Sequence, residues 1–515
     1  MSSPCTKMDV DSSGVAVITL CFPPLNALHP QLLKSLFENL ALAQKDPRVK
    51  AAVLIGSGSA FSPGFDINQF KNTSGGGGID QSINEGICAV LESGAKPTVA
   101  AVQGVALGGG LEVAMGCNAR VCAPGTKLGL PELSLGIIPG FGGTQRLPRL
   151  VGLAKAAEMM LTSAQITAEA GLKLGLVDQI VPKDQLLSAA KAYALDMAHG
   201  RKPRMYSLHR TDKLEPLGEA LPVLEFARAQ ASKQAPGLRH PQLCLDAIQE
   251  GIEKGGMAGL RKEGECFALA ASLDTHKALV HVFFASRATK KVRGVTDAGL
   301  KANKIGTVAV LGGGLMGSGI ATALAMSGVQ VILKEINQKF LDGGMGRIKA
   351  NIDSRAKKGS ISKKAAEEAM ARVKGALDYS DFKRADMAIE AVIEDIPLKQ
   401  SIFLDLERHC RPDCILSTNT STIDISLVGA KTRAASRILG AHFFSPAHIM
   451  PLLEIVRTPQ TSAQALLDTL ELCSAIKKTP RRGGQLHRLC GQPRVLPLHH
   501  GRLHAGGHGA ESLRH

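Results

Sequence analysis

Two acidic residues beside a glycine-rich turn are the first side chains in this sequence that could do chemistry. An apolar run over 98–102 predicts a strand, and the triplet Gly108–Gly110 leads into a predicted helix that begins at Leu111. Glu112 lies in that helix and Glu132 follows it. Glycine lets backbone N–H groups approach a ligand, and a helix N-terminus adds a positive dipole end. This combination favours a reaction that builds negative charge on a carbonyl oxygen beside proton transfers.

Three segments around these acids closely resemble the enoyl-CoA hydratase/isomerase (crotonase) superfamily. They are SGSAFSPGFDI, GVALGGGLEVAMGC and PELSLGIIPGFGGTQRLPRL, and they occur in the order and spacing typical of that family. The resemblance implies that the N–H groups of Phe65 and Gly109 hold a thioester oxygen. It also implies that Glu112 and Glu132 hold water and move protons to and from the substrate. In the alternative interpretation, Glu112 only favours a helix N-terminus and Glu132 is a solvated loop acid.

A second glycine motif begins in the far half of the chain. Gly312, Gly314 and Gly317 form G-x-G-x-x-G after a predicted strand over 307–311, with Leu315 and Met316 inside the motif. A second predicted strand ends at Glu335. This arrangement predicts a dinucleotide site in which the acid accepts the ribose hydroxyls, so that NAD is favoured over NADP. The alternative is a glycine-rich turn in an α/β domain that binds no nucleotide.

The segments that follow resemble the 3-hydroxyacyl-CoA dehydrogenase family. They are ADMAIEAVIEDIPLKQ, CILSTNTSTIDIS and GAHFFSPAHIMPLLEIVRT. Removing a hydride from a secondary alcohol requires a base for the hydroxyl proton and an acceptor beside it. By resemblance, His442 is that base, Glu454 orients it, and Ser421 bonds the substrate oxygen. Glu394 and Asn419 are expected beside the bound cofactor.

Both halves on one chain resemble the peroxisomal multifunctional β-oxidation proteins of plants and green algae. The resemblance implies an α/β chain with a crotonase-like ββα spiral domain over 1–195, a helical linker over 196–302 and a Rossmann-type NAD-binding domain over 303–480. It implies hydration of 2-enoyl-CoA, then oxidation of the 3-hydroxyacyl-CoA with NAD, with 3-enoyl to 2-enoyl isomerisation as a further family activity. Two alternatives stay open: a hydratase/isomerase with an inert NAD-binding domain, and a basic protein that binds nucleic acid.

The composition of the chain indicates which kinds of partner it is expected to bind. The 515 residues are sufficient for two or three domains, and no stretch of 18 or more apolar residues predicts a membrane span. The eleven cysteines show no metal-binding spacing and indicate reduced thiols, and His276 and His281 are expected to be structural or surface residues rather than metal ligands. The net charge of +16 fits phosphate-bearing acyl-CoA thioesters more simply than nucleic acid, since no aromatic residues accompany the basic ones. By resemblance the protein is expected to be monomeric.

The last residues, 481–515, depart from the family. They are rich in His and Gly and show little hydrophobic periodicity, so we expect them to be disordered and hypothesise that they are read out of frame. The C-terminal helical dehydrogenase domain of the family would then be missing, and the dehydrogenase half would be impaired. The family resemblance implies a peroxisomal (glyoxysomal) enzyme. Because the final Leu-Arg-His is not a peroxisomal signal, a cytosolic location is the alternative.

Overall fold

The structure, a computed structural model, describes residues 5–71 and 81–484. The chain divides between Phe283 and Phe284 into two compact units, each built of strands and helices. The predicted α/β class is therefore confirmed for both halves. None of the helices in these ranges is long and apolar enough to cross a bilayer.

The first unit is built around a six-stranded sheet with the strand order β1-β2-β3-β4-β6-β9, and a three-stranded sheet with the order β5-β7-β8 accompanies it. All pairs in the larger sheet are parallel except β1 with β2. Every residue of the central strand β4 is buried, as the apolar run TVAAV predicts for a parallel strand covered on both faces. The strands are β1 Thr6–Val10, β2 Val15–Leu20, β3 Ala51–Gly56, β4 Thr98–Val102, β5 Val105–Leu107, β6 Ala119–Cys122, β7 Lys127–Gly129, β8 Gln165–Thr167 and β9 Gln179–Ile180.

Helices cover these sheets and extend well beyond the predicted end of the first domain at residue 195. The helices are α1 Pro30–Lys45, α2 Gln81–Ser93, α3 Gly109–Gly116, α4 Gly143–Val151, α5 Leu153–Leu161, α6 Ala168–Leu174, α7 Leu186–Ala198, α8 Leu217–Gln234, α9 His240–Lys254, α10 Gly256–Ser272 and α11 Asp274–Ala288.

The predicted helical linker over 196–302 needs correction. Helices α8, α9 and α10 bury Leu224, Leu245 and Cys266 in the same hydrophobic core as the sheet of the first unit. The end of the predicted linker instead contributes Val292 and Val295 to a core of the second unit. The physical reason is that an amphipathic helix must bury its apolar face. That face is readable from the sequence, but the surface that it covers is not.

The second unit contains one eight-stranded sheet with the order β12-β11-β10-β13-β14-β15-β16-β17. Its first six strands are parallel. They follow a doubly wound order: strands are added to one side of β10 as far as β12, and then to its other side from β13 onward. The strands are β10 Thr307–Leu311, β11 Gln330–Lys334, β12 Val373–Ala376, β13 Met387–Glu390, β14 Ile415–Thr418, β15 Ile438–Phe443, β16 Leu452–Arg457 and β17 Thr479–Gly484. The helices are α12 Leu315–Met326, α13 Gln338–Lys357, α14 Lys363–Ala371, α15 Ile396–His409, α16 Ile425–Gly429 and α17 Ala463–Ala475.

The last strand crosses the predicted domain end at Pro480. Strand β17 pairs in parallel with β16 as far as Gly484, so the residues from Arg481 to Gly484 belong to the sheet instead of the predicted disordered tail. Extended backbone next to a sheet edge can pair through its own N–H and C=O groups whatever its side chains are. The remainder of the predicted tail, 485–515, lies outside the described residues.

Candidate active sites

Glycines bring two backbone segments together at the start of helix α3. Gly108 caps that helix with a φ of 51°, a region that residues with a Cβ rarely adopt. A Cβ atom on Gly64 would lie 2.7 Å from the carbonyl oxygen of Leu107 and 3.2 Å from the nitrogen of Gly109. The backbone before Phe65 therefore lies directly against the N-terminus of α3.

The N–H groups of Phe65 and Gly109 are the two donors that the sequence predicts for a thioester oxygen. Gly109 is the first residue of α3, so its N–H has no intrahelical acceptor. In the described ranges, neither N–H has a recorded hydrogen-bond acceptor. The aromatic ring of Phe65 packs on Gly109, where a Cβ would come within 2.6 Å of a ring carbon. Both amides therefore remain available to a carbonyl oxygen.

Glu112 is a fully buried carboxyl that is held by one of its two oxygens. Its Oε1 accepts hydrogen bonds from the N–H groups of Phe141, at 2.8 Å, and Gly143, at 2.7 Å. Its Oε2 is buried and has no partner among the residues that the structure describes. Burial, followed by the charges of Glu132 and Glu263, raises the pKa of Glu112 well above its ordinary value. The carboxyl is thus fixed in orientation with one oxygen free to exchange a proton.

Glu132 also lies against the turn at Gly108. It begins a 3₁₀ helix, Glu132–Leu135, and a Cβ on Gly108 would lie 2.7 Å from its Oε1. Its Oε2 is buried, again without a partner in 5–71 or 81–484. Burial raises the pKa of Glu132 to about 8, and the charge of Glu263 acts in the same direction. The structure therefore brings together the four residues predicted for this site: Phe65, Gly109, Glu112 and Glu132.

A third buried carboxyl, Glu263 of α10, was missed by the sequence analysis. It is 2% exposed and accepts hydrogen bonds from the N–H of Gly142, at 2.6 Å, and the N–H of Thr144, at 2.9 Å. Burial raises its pKa to about 7. A signal was present in the sequence, because Glu263 shares the helical spacing of Gly259, Cys266 and Ala270, which are three of the other buried residues of α10.

The second glycine motif forms a turn between β10 and α12. Gly312 has a φ of 95°, which only glycine adopts readily, and a Cβ on Gly317 would overlap the carbonyl oxygen of Gly312. Gly314 precedes the first residue of α12, and nothing lies within 4 Å of the position of a Cβ there. Glu335 accepts a hydrogen bond of 2.6 Å from the N–H of Gly313. These features fit a dinucleotide, with open backbone N–H groups at a helix N-terminus and a carboxylate beside them.

The two apolar residues of that motif face different surroundings. Leu315 is 71% exposed at the beginning of α12, whereas Met316 is partly buried against the core of the second unit. Leu315 is therefore accessible to a ligand at the glycine turn, and Met316 helps to fix the helix behind it.

His442 and Glu454 face each other across two antiparallel strands. They are direct partners in the register of β15 with β16, and His442 Nδ1 lies 3.1 Å from Glu454 Oε2. Glu454 is buried, and its other oxygen lies 3.4 Å from a guanidinium nitrogen of Arg481 in β17. Because Nδ1 is engaged, Nε2 is the ring nitrogen that remains for a substrate.

Glu394 lies in a polar cluster at the ends of β13 and β14. The hydroxyl of Thr420 donates to Glu394 at 2.8 Å, and the ammonium of Lys399 lies 3.5 Å from the same carboxylate. Lys399 is itself buried and forms a 2.7 Å ion pair with the buried Glu390. Neither partner of that ion pair was predicted, since no sequence pattern distinguishes Lys399 from an exposed lysine in the first turn of a helix.

Asn419 has a structural contact beside the histidine. Its side-chain oxygen accepts a 2.8 Å hydrogen bond from the N–H of Phe443, the residue after His442, so it ties the end of β14 to β15. Ser421 is partly exposed two residues further along, and its hydroxyl has no partner within the described residues. No group of three or more potential metal ligands occurs in 5–71 and 81–484.

Comparison with known proteins gives matches in the same order along the chain. The enoyl-CoA hydratase/isomerase family matches residues 11–211, and the NAD binding domain of 3-hydroxyacyl-CoA dehydrogenase matches residues 307–483. The peroxisomal fatty acid beta-oxidation multifunctional protein of Oryza sativa subsp. japonica is 56% identical over 477 residues, which cover 92% of this chain and 66% of that protein. The corresponding glyoxysomal protein of Brassica napus is 54% identical over 479 residues, with the same two coverages.

A bacterial relative extends the comparison. The fatty acid oxidation complex subunit alpha of Idiomarina loihiensis is 36% identical over 484 residues, which cover 92% of this chain and 68% of that subunit. The chain thus spans about two thirds of the length of the curated relatives that it matches. It belongs to the family of multifunctional fatty acid β-oxidation proteins and carries an enoyl-CoA hydratase/isomerase domain followed by a 3-hydroxyacyl-CoA dehydrogenase NAD binding domain.

Proposed function

We propose that the first unit adds water to trans-2-enoyl-CoA thioesters and forms 3-hydroxyacyl-CoA. The observation that carries this proposal is the pair of buried, unpartnered carboxyl oxygens of Glu112 and Glu132 beside the available amides of Phe65 and Gly109. An oxygen that is buried without a partner is costly, so its persistence at this place favours a ligand or water as its natural partner.

In this proposal the residues divide the reaction between them. The amides of Phe65 and Gly109 donate to the thioester oxygen and stabilise the enolate charge that develops there. Glu112 and Glu132 bind one water between them. The ionised carboxylate takes a proton from this water as its oxygen adds to the β-carbon, and the protonated carboxyl delivers a proton to the α-carbon. The same couple can move a proton between the two carbons of a 3-enoyl thioester, which supports isomerisation as an accompanying activity.

Raised pKa values suit this division of roles. Burial and the neighbouring carboxylates raise the pKa of both Glu112 and Glu132, so full ionisation of the pair is disfavoured near neutral pH. One member can then act as the acid while the other acts as the base.

The test replaces each acid separately. We expect Glu112→Gln and Glu132→Gln each to lower kcat for crotonyl-CoA hydration by about 100-fold or more, the scale of a positioned acid or base. Glu158→Gln is the matched control, since Glu158 is an exposed glutamate on α5 that pairs with Lys155 of the same helix. Full hydration by either active-site variant would contradict the proposal.

We further propose that the second unit binds NAD and oxidises 3-hydroxyacyl-CoA to 3-ketoacyl-CoA. Bound NAD supplies the hydride acceptor. Glu335 is suited to accept the ribose hydroxyls, and Nε2 of His442 is suited to take the hydroxyl proton while Glu454 holds Nδ1 and stabilises the cationic ring. Ser421 has a hydroxyl available for the substrate oxygen. The 3.1 Å contact of His442 with Glu454 is the observation that favours this second activity.

The cellular location, the ligands and the oligomeric state of the protein are proposed from its relatives and from its sequence. The curated relatives are named peroxisomal and glyoxysomal proteins, and we propose a peroxisomal location for this one. Acyl-CoA thioesters are the proposed ligands, and we propose that the chain is a monomer without affinity for nucleic acid. Light scattering after gel filtration tests whether the protein is a monomer. A gel-shift assay with nucleic acid at several salt concentrations tests whether it binds nucleic acid.

A further inference from the structure

Four successive backbone amides at the N-terminus of α4 are divided between two carboxylates. The N–H groups of Phe141 and Gly143 donate to Glu112, whereas those of Gly142 and Thr144 donate to Glu263. The four distances lie between 2.6 and 2.9 Å. Alternate amides of one turn therefore hold two acids, so the position of that turn affects the orientation of both.

Glu263 differs from Glu112 in having no oxygen left for a substrate. Its Oε1 accepts from Gly142, and its Oε2 accepts from both the N–H and the hydroxyl of Thr144. Glu112 keeps one oxygen unpartnered. Glu263 therefore acts through its neighbours and not on a reacting atom.

The predicted linker helices also hold the loop that carries Glu132. His276 Nδ1 lies 2.7 Å from the carbonyl oxygen of Leu135. Helices α10 and α11 thus each supply one side chain, Glu263 and His276, that anchors a loop of the hydration site.

We propose that Glu263 is a positioning residue of the hydration reaction, which fixes the amides that orient Glu112 and adds negative charge beside the Glu112–Glu132 pair. This inference rests on the proposed function of the first unit. It assigns a role in that reaction to a helix outside the region that carries the hydratase motifs.

The charge of Glu263 predicts a measurable change in pH dependence. It helps to raise the pKa of Glu112, so removing it is expected to move the ionisation of the glutamate pair to lower pH. The other titratable and charged groups around this cluster do not change in such a variant. They are Glu132 of the 3₁₀ helix, Arg146 of α4, Cys88 and Glu92 of α2, Cys244 of α9 and Cys266 of α10.

The experiment measures crotonyl-CoA hydration by the full chain from pH 5 to 10, with kcat and KM resolved. We expect Glu263→Gln to lower kcat by about 10-fold or more, with a smaller change in KM. We also expect the limb of the pH–kcat profile that reports ionisation of the Glu112–Glu132 pair, the ionisation limb, to shift to lower pH. Glu265→Gln is the matched control, since Glu265 lies on the same helix, is exposed and pairs with Lys262. Its profile should coincide with that of the parent protein.

The outcomes separate the inference from the function on which it rests. A parent protein that does not hydrate crotonyl-CoA refutes the proposed function. If the parent protein does hydrate crotonyl-CoA, the pH profile of Glu263→Gln decides the inference. A profile with the same shape as that of the parent, lower only by a constant factor in kcat, shows a merely structural role and overturns the inference. If that variant does not fold, Thr144→Val removes the hydroxyl donor alone and should shift the limb in the same direction by less. An unchanged limb in that variant overturns the inference equally.

Discussion

Gly109→Ala is expected to change the two amides proposed to bind the thioester oxygen without touching either glutamate. The new methyl group would lie 2.6 Å from one ring carbon of Phe65, 2.7 Å from another and 3.1 Å from a methyl carbon of Leu28. Carbon contacts are favourable at about 3.5–4.0 Å, so the ring must retreat by roughly 1 Å. Phe65 carries the second proposed donor, so we expect this displacement to alter the spacing of the two amides.

The expected size of the effect follows from the loss of one oxyanion donor. Such a loss lowers kcat by about 10²–10³, and we expect a decrease of that order for crotonyl-CoA hydration by Gly109→Ala. Overpacking is expected to cost about 1–3 kcal/mol in the free energy of unfolding, which thermal unfolding measures separately. The loss of kcat should therefore persist at temperatures where the variant is fully folded.

Gly116→Ala supplies the control at the other end of α3. It is the same substitution at a buried glycine of the same helix, but among the described residues its methyl group would meet only Leu91, at 3.5 and 3.7 Å, which is ordinary contact. We expect hydration within about twofold of the parent protein, because the contact neither overpacks nor reaches the site. A folded Gly109→Ala variant that hydrates as fast as Gly116→Ala would refute the assignment of Phe65 and Gly109 as the oxyanion donors.

Two further predictions concern the buried acids and the second site. Burial raises the folded-state pKa of Glu132 to about 8 from an ordinary value of 4.5, so the folded protein binds a proton that the unfolded chain releases, and stability should fall as pH rises between these values. Thermal unfolding at pH 5.5 and 8.5 should therefore show a smaller decrease for Glu132→Gln, which cannot ionise, than for the parent; equal decreases would contradict the raised pKa. His442→Asn should lower NAD-dependent oxidation of 3-hydroxybutyryl-CoA by about 100-fold or more, with NAD affinity and crotonyl-CoA hydration unchanged as internal controls. Oxidation at the parent rate, or none by the parent itself, would count against the dehydrogenase proposal.

Local features of both sites were readable along the chain. The glycine turns at Gly108 and Gly312 adopt positive φ, and Glu335 lies against the second turn. These features depend on a few adjacent residues, because positive φ is a property of glycine itself and a strand–turn–helix unit is short. The motif matches also named His442 and Glu454 without indicating their distance. That distance follows from the antiparallel register of β15 with β16.

The sequence by itself determined the α/β class, the two glycine turns, the acids that follow them and the order of the two domains. Only the tertiary structure decided that α8, α9 and α10 belong to the core of the first unit and that β17 continues to Gly484. It also decided that Glu263 accepts hydrogen bonds from residues 119 and 121 positions away. Helical periodicity marks a buried face, but packing against the rest of the core selects the partner, and a buried carboxylate is tolerated only where that packing provides its donors.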